Sequence, residues 1–264
     1  MYSEVALSIG GSDSGGGAGI QADLRTFMAL KVHGCTVITC VTAQNSISVK
    51  SVDAIEINNI NDQIDQLFSD FPIKSLKTGM LLNENIIKAT AKTIQNQDIS
   101  KIIDPVMVSR TGAKLLEQNA IDAYKEYLFP QADLITPNIF EANLLTDMDI
   151  KCQKDIEESG KILKDYGANA VLIKGGGLND LKGKDFFIDK NGQQSWLSHE
   201  FVDTTNTHGS GCTLSAAICG YRALGLDLLD AIIKAKAFIE KSMVKAYQIG
   251  SGPGPLCHYQ YTDD

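Results

Sequence analysis

The sequence lacks the features that announce several common classes of protein. None of its six cysteines, at 35, 40, 152, 212, 219 and 257, stands in a C-x-x-C pair. Zinc ribbons and disulfide scaffolds need tighter spacing, so reduced thiols in a cytoplasm are expected. No apolar run reaches the roughly 18 residues of a spanning helix. The opening Met1-Tyr2-Ser3-Glu4 has no basic stretch leading into an apolar core, so no signal peptide is expected. A basic excess is missing as well: the formal net charge is −8. Nucleic acids and anionic membranes require clustered Lys and Arg, so neither is an expected partner. A phosphate-bearing ligand stays open, because a helix N-terminus or a single lysine holds phosphate inside an acidic protein. The phosphate-binding loop G-x-x-x-x-G-K-[ST] is absent, and so is the protein-kinase motif set.

Hydrophobic residues make up 44% of the 264-residue chain and charged residues 21%, which suits a folded soluble protein. No repeat, low-complexity tract or linker divides the chain, so residues 1–264 read as one domain. Short apolar runs alternate with helical spacings. Val5 to Ile9, Val37 to Val41, Lys74 to Thr78, Ile102-Ile103, Leu134 to Thr136 and Ala170 to Lys174 read as strands. Ala18 to Leu30, Ile60 to Phe71, Asn83 to Gln95, Gly211 to Ala223 and Leu228 to Tyr247 read as helices. This alternation predicts an α/β fold, a mostly parallel sheet with helices on both faces. Ligands of such sheets bind at the carboxyl ends of the strands. Glycines, amides and carboxylates cluster there, which favours a small-ligand site over ordinary loop polarity.

The strongest motif is Thr204-Thr205-Asn206-Thr207-His208-Gly209-Ser210-Gly211-Cys212-Thr213, a glycine-containing loop running into a helix of small residues. The N–H groups of Gly209, Ser210, Gly211 and Cys212 would converge, with the helix dipole, into a hole for a transferring phosphoryl group. A glycine-led helix start that holds nothing is the plainer alternative. Cys212 lies in the first turn, where a helix N-terminus lowers a thiol's pKa, which suits a base or relay toward a substrate hydroxyl. The alternative is a small buried thiol. A cysteine-protease reading needs an oriented His, and His208 four residues earlier is the candidate in the motif.

The second motif is Gly10-Gly11-Ser12-Asp13-Ser14-Gly15-Gly16-Gly17-Ala18-Gly19-Ile20-Gln21-Ala22-Asp23. Gly17 to Ala22 matches G-x-G-x-x-A, but a polar loop separates it from its strand, and the next strand runs to Thr42-Ala43-Gln44-Asn45 without an acid. A backbone surface against a flat substrate fits better than a dinucleotide site, with Asp23 offering a carboxylate or simply facing solvent. Asp104 and Glu141 follow two further strands and could orient Mg²⁺, mostly through waters and ATP phosphates. For Glu141 the alternative is a first-turn acid favoured by the helix dipole. Lys174-Gly175-Gly176-Gly177 ends another strand, where a lysine meets a phosphate and glycines admit a nucleotide.

Taken in this order, the motifs resemble the ribokinase-like superfamily, with Cys212 where most members carry the final Asp of Asp-Thr-x-Gly-Ala-Gly-Asp. The opening glycine run, Lys77-Thr78-Gly79-Met80-Leu81 and Asp104-Pro105-Val106-Met107 resemble its branch of hydroxymethylpyrimidine/phosphomethylpyrimidine kinases. The resemblance implies a three-layer ribokinase-like sandwich and ATP and Mg²⁺ as cofactors. The implied reaction is phosphorylation of 4-amino-5-hydroxymethyl-2-methylpyrimidine and then of its monophosphate, in thiamine synthesis. It implies a catalytic hole of Gly209, Ser210, Gly211 and Cys212, and a substrate site of Gly11, Asp23, Gln44, Met80 and Val106. It places Asn138, Lys174 and Thr205 near ATP phosphates and Asp104 and Glu141 at the metal. A small-molecule partner is implied, and a homodimer is compatible with it.

Gln44 resembles the pyrimidine kinases, where its amide matches a ring nitrogen beside an amino group. The related pyridoxal kinases tend to carry Met-Asp there. The sequence departs from the family pattern at Ser210, where Thr or Ala is usual, and at Ser46-Ile47-Ser48-Val49, where Thr-Leu-Gly-Val is common. Three other readings remain: a pyridoxine or pyridoxal kinase, a silent sensor of vitamin precursors, and a nucleotide-dependent oxidoreductase.

Overall fold

A computed structural model describes residues 4–107 and 118–259; residues 1–3, part of the run read for a signal peptide, lie outside the described residues. Strand β1 (Val5–Asp13) is followed by α1 (Gly19–Ala29), β2 (His33–Gln44) and β3 (Val49–Ala54). Then come α2 (Ile57–Asp70), β4 (Ile73–Thr78), α3 (Glu84–Ile94) and β5 (Ser100–Ile103). After α4 (Gln118–Ala123) the chain forms β6 (Leu134–Ile135), α5 (Ile139–Thr146), α6 (Gln153–Asp165) and β7 (Val171–Lys174). Strands β8 (Lys184–Ile188) and β9 (Gln194–Ser198) precede α7 (Ser210–Ala223) and α8 (Leu228–Val244).

One nine-stranded sheet has the order β3-β2-β1-β4-β5-β6-β7-β8-β9. The strands from β2 to β7 pair in parallel, while β3, β8 and β9 join antiparallel at the edges. Strand alternation builds two cores. Leu7, Ile9, Ile103, Ile135, Val171 and Ile173 face one side, packed with Ile60 and Ile64 of α2, Ile86 of α3 and Ile156 of α6. Ala6, Ile102, Leu134 and Leu172 face the other, packed with Phe27 of α1, Ile218 of α7 and Ile232 of α8. A period of two along each strand thus supplies both interfaces of a three-layer structure. Among the described residues no helix is long and apolar enough to cross a membrane.

The expected parallel strands and long helices are present, and the differences have physical causes. β1 continues through Gly10-Gly11-Ser12 to Asp13, where a turn was expected to begin. Gly10 remains paired to β2, and Gly11 falls in the register shift between Gly10 and Ser12. β3 and β9 are strands that no apolar run announces; β8, also unexpected, carries the buried run Phe186-Phe187-Ile188. β3 is largely exposed and carries Lys50 and Asp53, as suits an edge strand.

The winding reverses at β1, because the chain first builds β2 on one side and later returns to build β4 on the other. A crevice beyond the carboxyl ends of β1 and β4 is the place such a sheet offers a ligand.

Tight packing reaches to the glycine level in α6. A Cβ on Gly160 would lie 2.5 Å from Cε1 of Phe186, a fully buried ring tilted against Trp196 at 5.4 Å between centroids. Alanine ordinarily favours a helix over glycine by about 1 kcal/mol, but overpacking costs about 1–3 kcal/mol. Gly160→Ala is expected to destabilise by about 1 kcal/mol or more, and urea unfolding with an unchanged m-value checks it.

Candidate active site

The reversal point brings two buried clusters together. The first lies under the β1–β4 crevice. Lys77, on β4, is fully buried, and its Nζ donates to both oxygens of Asp23 on α1, at 3.2 and 3.0 Å. Ser8 Oγ of β1 donates to Asp23 Oδ2 at 2.6 Å. Burial pushes the Lys77 ammonium down, but Asp23, Cys212 and Asp104 together outweigh it and hold its pKa above the ordinary value. Burial also pushes the Asp23 carboxyl up, against the opposing pull of Lys77 and Ser8. Asp23 is therefore the buried partner of a cation and not the solvent-facing helix residue of the plainer alternative.

Over this pair lies a backbone surface. Gly11 is buried, and a Cβ there would sit 2.8 Å from Cys40 Sγ and 3.0 Å from Met80 Cε. Thr39 Oγ1 donates to the Met80 carbonyl at 2.7 Å, which fixes the turn after β4. Gly19 has a φ of +58°, and a Cβ there would lie 2.5 Å from the Gly11 carbonyl. Ser14 clips Gln44 at the end of β2: the Gln44 N–H donates to Ser14 Oγ, and that hydroxyl donates to the Gln44 carbonyl, each at 2.8 Å. The Gln44 side chain is half-buried beside this loop. Val106, also half-buried, follows Asp104, to whose carbonyl its N–H donates at 2.9 Å.

The second cluster centres on Asp104, just beyond β5. Thr136 Oγ1 and Lys174 Nζ reach its Oδ1 at 3.1 and 3.3 Å, and Ser215 Oγ of α7 reaches its Oδ2 at 3.0 Å. Burial opposes the charge on Lys174, but Asp104 and then Glu141 hold its pKa above the ordinary value. A Cβ on Gly211 would lie 3.5 Å from Lys174 Nζ, so the ammonium stands beside the start of α7. Glu141 and Asn138 form a capping box at α5: the Glu141 N–H donates to Asn138 Oδ1 at 3.0 Å, and the Asn138 N–H to Glu141 Oε2 at 2.8 Å. Asn138 thus has only its NH₂ left for a phosphate. Burial lifts the Glu141 carboxyl to about 7, with Asp104 adding to it and Lys174 opposing. Among the described residues no group of three or more His, Cys, Asp or Glu side chains converges on a metal position. Two buried carboxylates with ligand phosphates and waters still fit Mg²⁺, which keeps most of its waters and rarely uses an all-protein cage.

Gly209 has a φ of +82° and no side chain caps α7, so its opening amides are left to an incoming anion. The expected hole is trimmed at one member, because the Ser210 N–H donates to the Thr207 carbonyl at 3.2 Å. Thr205 is exposed in this turn, and its carbonyl accepts from the Thr207 N–H at 3.0 Å.

Cys212 overturns one expectation. Burial pushes its thiol up to about 11, with Asp23 and Asp104 adding to it. Lys77 and the Gly19 N–H pull the other way without prevailing. Desolvation outweighs the helix terminus, so the resting group is a thiol. His208 turns to Asp13, Nε2 to Oδ2 at 3.0 Å.

Lys77, Ser8, Thr136 and Ser215 were not read as site residues. A lysine inside the strand Lys74 to Thr78 of a sheet covered on both faces is the available signal, since a buried lysine requires a partner. Removing one member of such a pair costs about 3–5 kcal/mol. Lys77→Met is expected to lose about that much in denaturant unfolding, and Lys77→Met with Asp23→Leu to recover a large part.

A family model described as phosphomethylpyrimidine kinase matches residues 13–257. A hydroxymethylpyrimidine/phosphomethylpyrimidine kinase of Synechococcus elongatus is 51% identical over 261 residues, 98% of this chain and 98% of that one. An ADP complex of Bacillus subtilis pyridoxal kinase is similar at a TM-score of 0.90 and 38% identity, covering 97% of each chain. Phosphomethylpyrimidine kinase from Clostridium difficile is similar at a TM-score of 0.81 and 36% identity, covering 91% of this chain and 100% of that one.

Proposed function

The chain belongs to the phosphomethylpyrimidine kinase family, with its ribokinase-like fold, and on that premise we propose that it carries out two ATP-dependent phosphorylations in thiamine synthesis. The first acceptor is the primary hydroxyl of 4-amino-5-hydroxymethyl-2-methylpyrimidine, and the second is the resulting monophosphate. The observation that carries this reading is the Lys174 ammonium beside the uncapped start of α7, facing a backbone-lined crevice that ends at Gln44. Residues 1–264 act as one kinase domain in the cytoplasm, alone or as a homodimer.

The pyrimidine lies against Gly11 and Met80 with Val106 nearby, and the Gln44 amide both donates to and accepts from its ring edge. Asp23 acts beneath this surface by keeping Lys77 charged and fixed. The γ-phosphoryl group enters at the amides of Gly209, Gly211 and Cys212, with Ser210 shaping the turn. Lys174, the Asn138 NH₂ and Thr205 lie on the phosphate side. Asp104 and Glu141 would hold Mg²⁺, which when bound would neutralise phosphate charge. Phosphoryl transfer has a loose transition state and needs little base strength, so positioning and electrostatics carry most of the rate. A Cys212 thiol that remains protonated suits this: it orients the acceptor hydroxyl rather than waiting as a thiolate.

The test is ATP consumption with Mg²⁺ and, separately, the pyrimidine, its monophosphate and pyridoxal. Turnover on the first two with pyridoxal weak supports the reading. Strong turnover on pyridoxal alone assigns the second reading, a pyridoxal kinase, which the likeness to the Bacillus enzyme favours and Gln44 opposes. Gln44→Met is expected to raise KM for the pyrimidine by about 10–100-fold, the equivalent of one or two lost hydrogen bonds.

Glu141 yields a pH test. With a pKa of about 7 it is mostly protonated at pH 6 and mostly ionised at pH 8, and only the ionised form serves a cation. The Mg²⁺ concentration for half-maximal rate is expected to fall on the order of tenfold from pH 6 to pH 8. Glu141→Gln should flatten that change. Titration of the γ-phosphate is common to both proteins, so the difference between them isolates Glu141.

A further inference from the structure

The mechanism above leaves the contact between His208 and Asp13 unused. His208 Nε2 meets Asp13 Oδ2 at 3.0 Å, between side chains only 14% and 4% exposed. The two residues are 195 positions apart in sequence. Each belongs to a different half of the site.

Asp13 organises the acceptor-side loop. Its Oδ1 accepts from the Gly15 N–H at 2.8 Å, and its Oδ2 from the Gly17 and Ala18 N–H groups at 3.1 and 2.9 Å. Burial pushes the Asp13 carboxyl up, but the His208 hydrogen bond and the Ala18 and Gly15 amides prevail and hold it below the ordinary value. His208 immediately precedes Gly209, the first residue of the phosphate-side turn. From behind, the His208 N–H donates to the Gly254 carbonyl at 3.1 Å, and the Gly254 N–H donates to Asn206 Oδ1 at 2.8 Å.

The two loops also touch directly. A Cβ on Gly17 would lie 2.2 Å from His208 Cδ2, and one on Gly209 would lie 1.9 Å from the Gly17 carbonyl oxygen. The absence of side chains at both positions lets the backbones meet, and the buried hydrogen bond sets their register.

We infer that Asp13 and His208 are a positioning pair that clamps the acceptor-side glycine loop onto the phosphate-side turn. The hydroxyl and the phosphoryl group are thereby held by one rigid unit. This rests on the kinase reading above. Each substrate keeps its own binding contacts without the clamp, but their relative placement does not survive. A misplacement of about 1 Å costs on the order of 100-fold in rate, so the loss belongs in kcat and not in either KM.

The test uses His208→Phe, which keeps the ring volume against Gly17 and removes the polar bond. His208→Gln places an amide donor where Nε2 was. ATP consumption and heterocycle phosphorylation are measured in parallel for wild type and both variants, with the pyrimidine and with pyridoxal, alongside thermal unfolding. We expect His208→Phe to lower kcat about 10–100-fold, with KM for ATP and for the acceptor changed by less than about twofold. His208→Gln should recover most of that rate. A kcat for His208→Phe within about twofold of wild type overturns the clamp. So does a loss confined to either KM, or an equal loss in His208→Gln, which packing alone would give. If His208→Phe does not fold, His208→Asn, too short to reach Asp13, replaces it against His208→Gln in the same measurement. The comparison uses whichever acceptor the wild type phosphorylates. A wild type inactive on the pyrimidine therefore overturns the substrate assignment and leaves the clamp to be judged on pyridoxal.

Discussion

The carboxylate of Asp104 ties together more of the site than any other described group. It stands beyond β5 and accepts from Thr136 beyond β6, Lys174 at the end of β7 and Ser215 in α7. Four separate segments are thereby drawn to one point at the carboxyl edge of the sheet. Its side chain is only 2% exposed, and a charge so removed from water persists only if it is paired and hydrogen-bonded. That requirement works in both directions. The surrounding donors satisfy both Asp104 oxygens, and the side chain in turn holds the Lys174 ammonium beside Gly211, where an anion needs it.

The same logic repeats one strand away at Lys77, Asp23 and Ser8. Each half of the site therefore sets a lysine against a buried aspartate. What is left for a ligand is the uncapped start of α7 with the Lys174 ammonium beside Gly211, while the Lys77 ammonium stays buried on Asp23. This fits a site that receives a highly charged nucleotide in an acidic protein. It also explains why Cys212, surrounded by carboxylates and low-dielectric protein, keeps its proton despite its place at a helix N-terminus.

Much of the architecture was legible in the sequence. Central strands such as Val5 to Ile9 are apolar on both faces because helices cover both faces, so they stand out as short runs. α3 and α8 follow from their amphipathic spacing. Edge strands were less legible. β3 with Lys50 and Asp53, and β9 at the opposite edge, lie partly in water, which removes the apolar run by which a strand is recognised. The glycines of β1 suggested a turn because their conformational freedom is visible in sequence, whereas the partner strand that keeps them extended is not.

The order of motifs determined the fold class and brought Cys212, Asp104, Lys174 and Gln44 forward as candidates, because glycine loops and strand-end polar residues are local signals. Only the tertiary structure decided which charges meet. Nothing local in Asp13 or His208 marks them as partners across 195 positions, nor Lys77 and Asp23 across 54. The direction of the Cys212 pKa was decided there too, since helix position is written in the sequence but desolvation by distant segments is not. Pair energies and burial are properties of three-dimensional proximity, and folding sets them only when remote parts of the chain arrive at the same edge of the sheet.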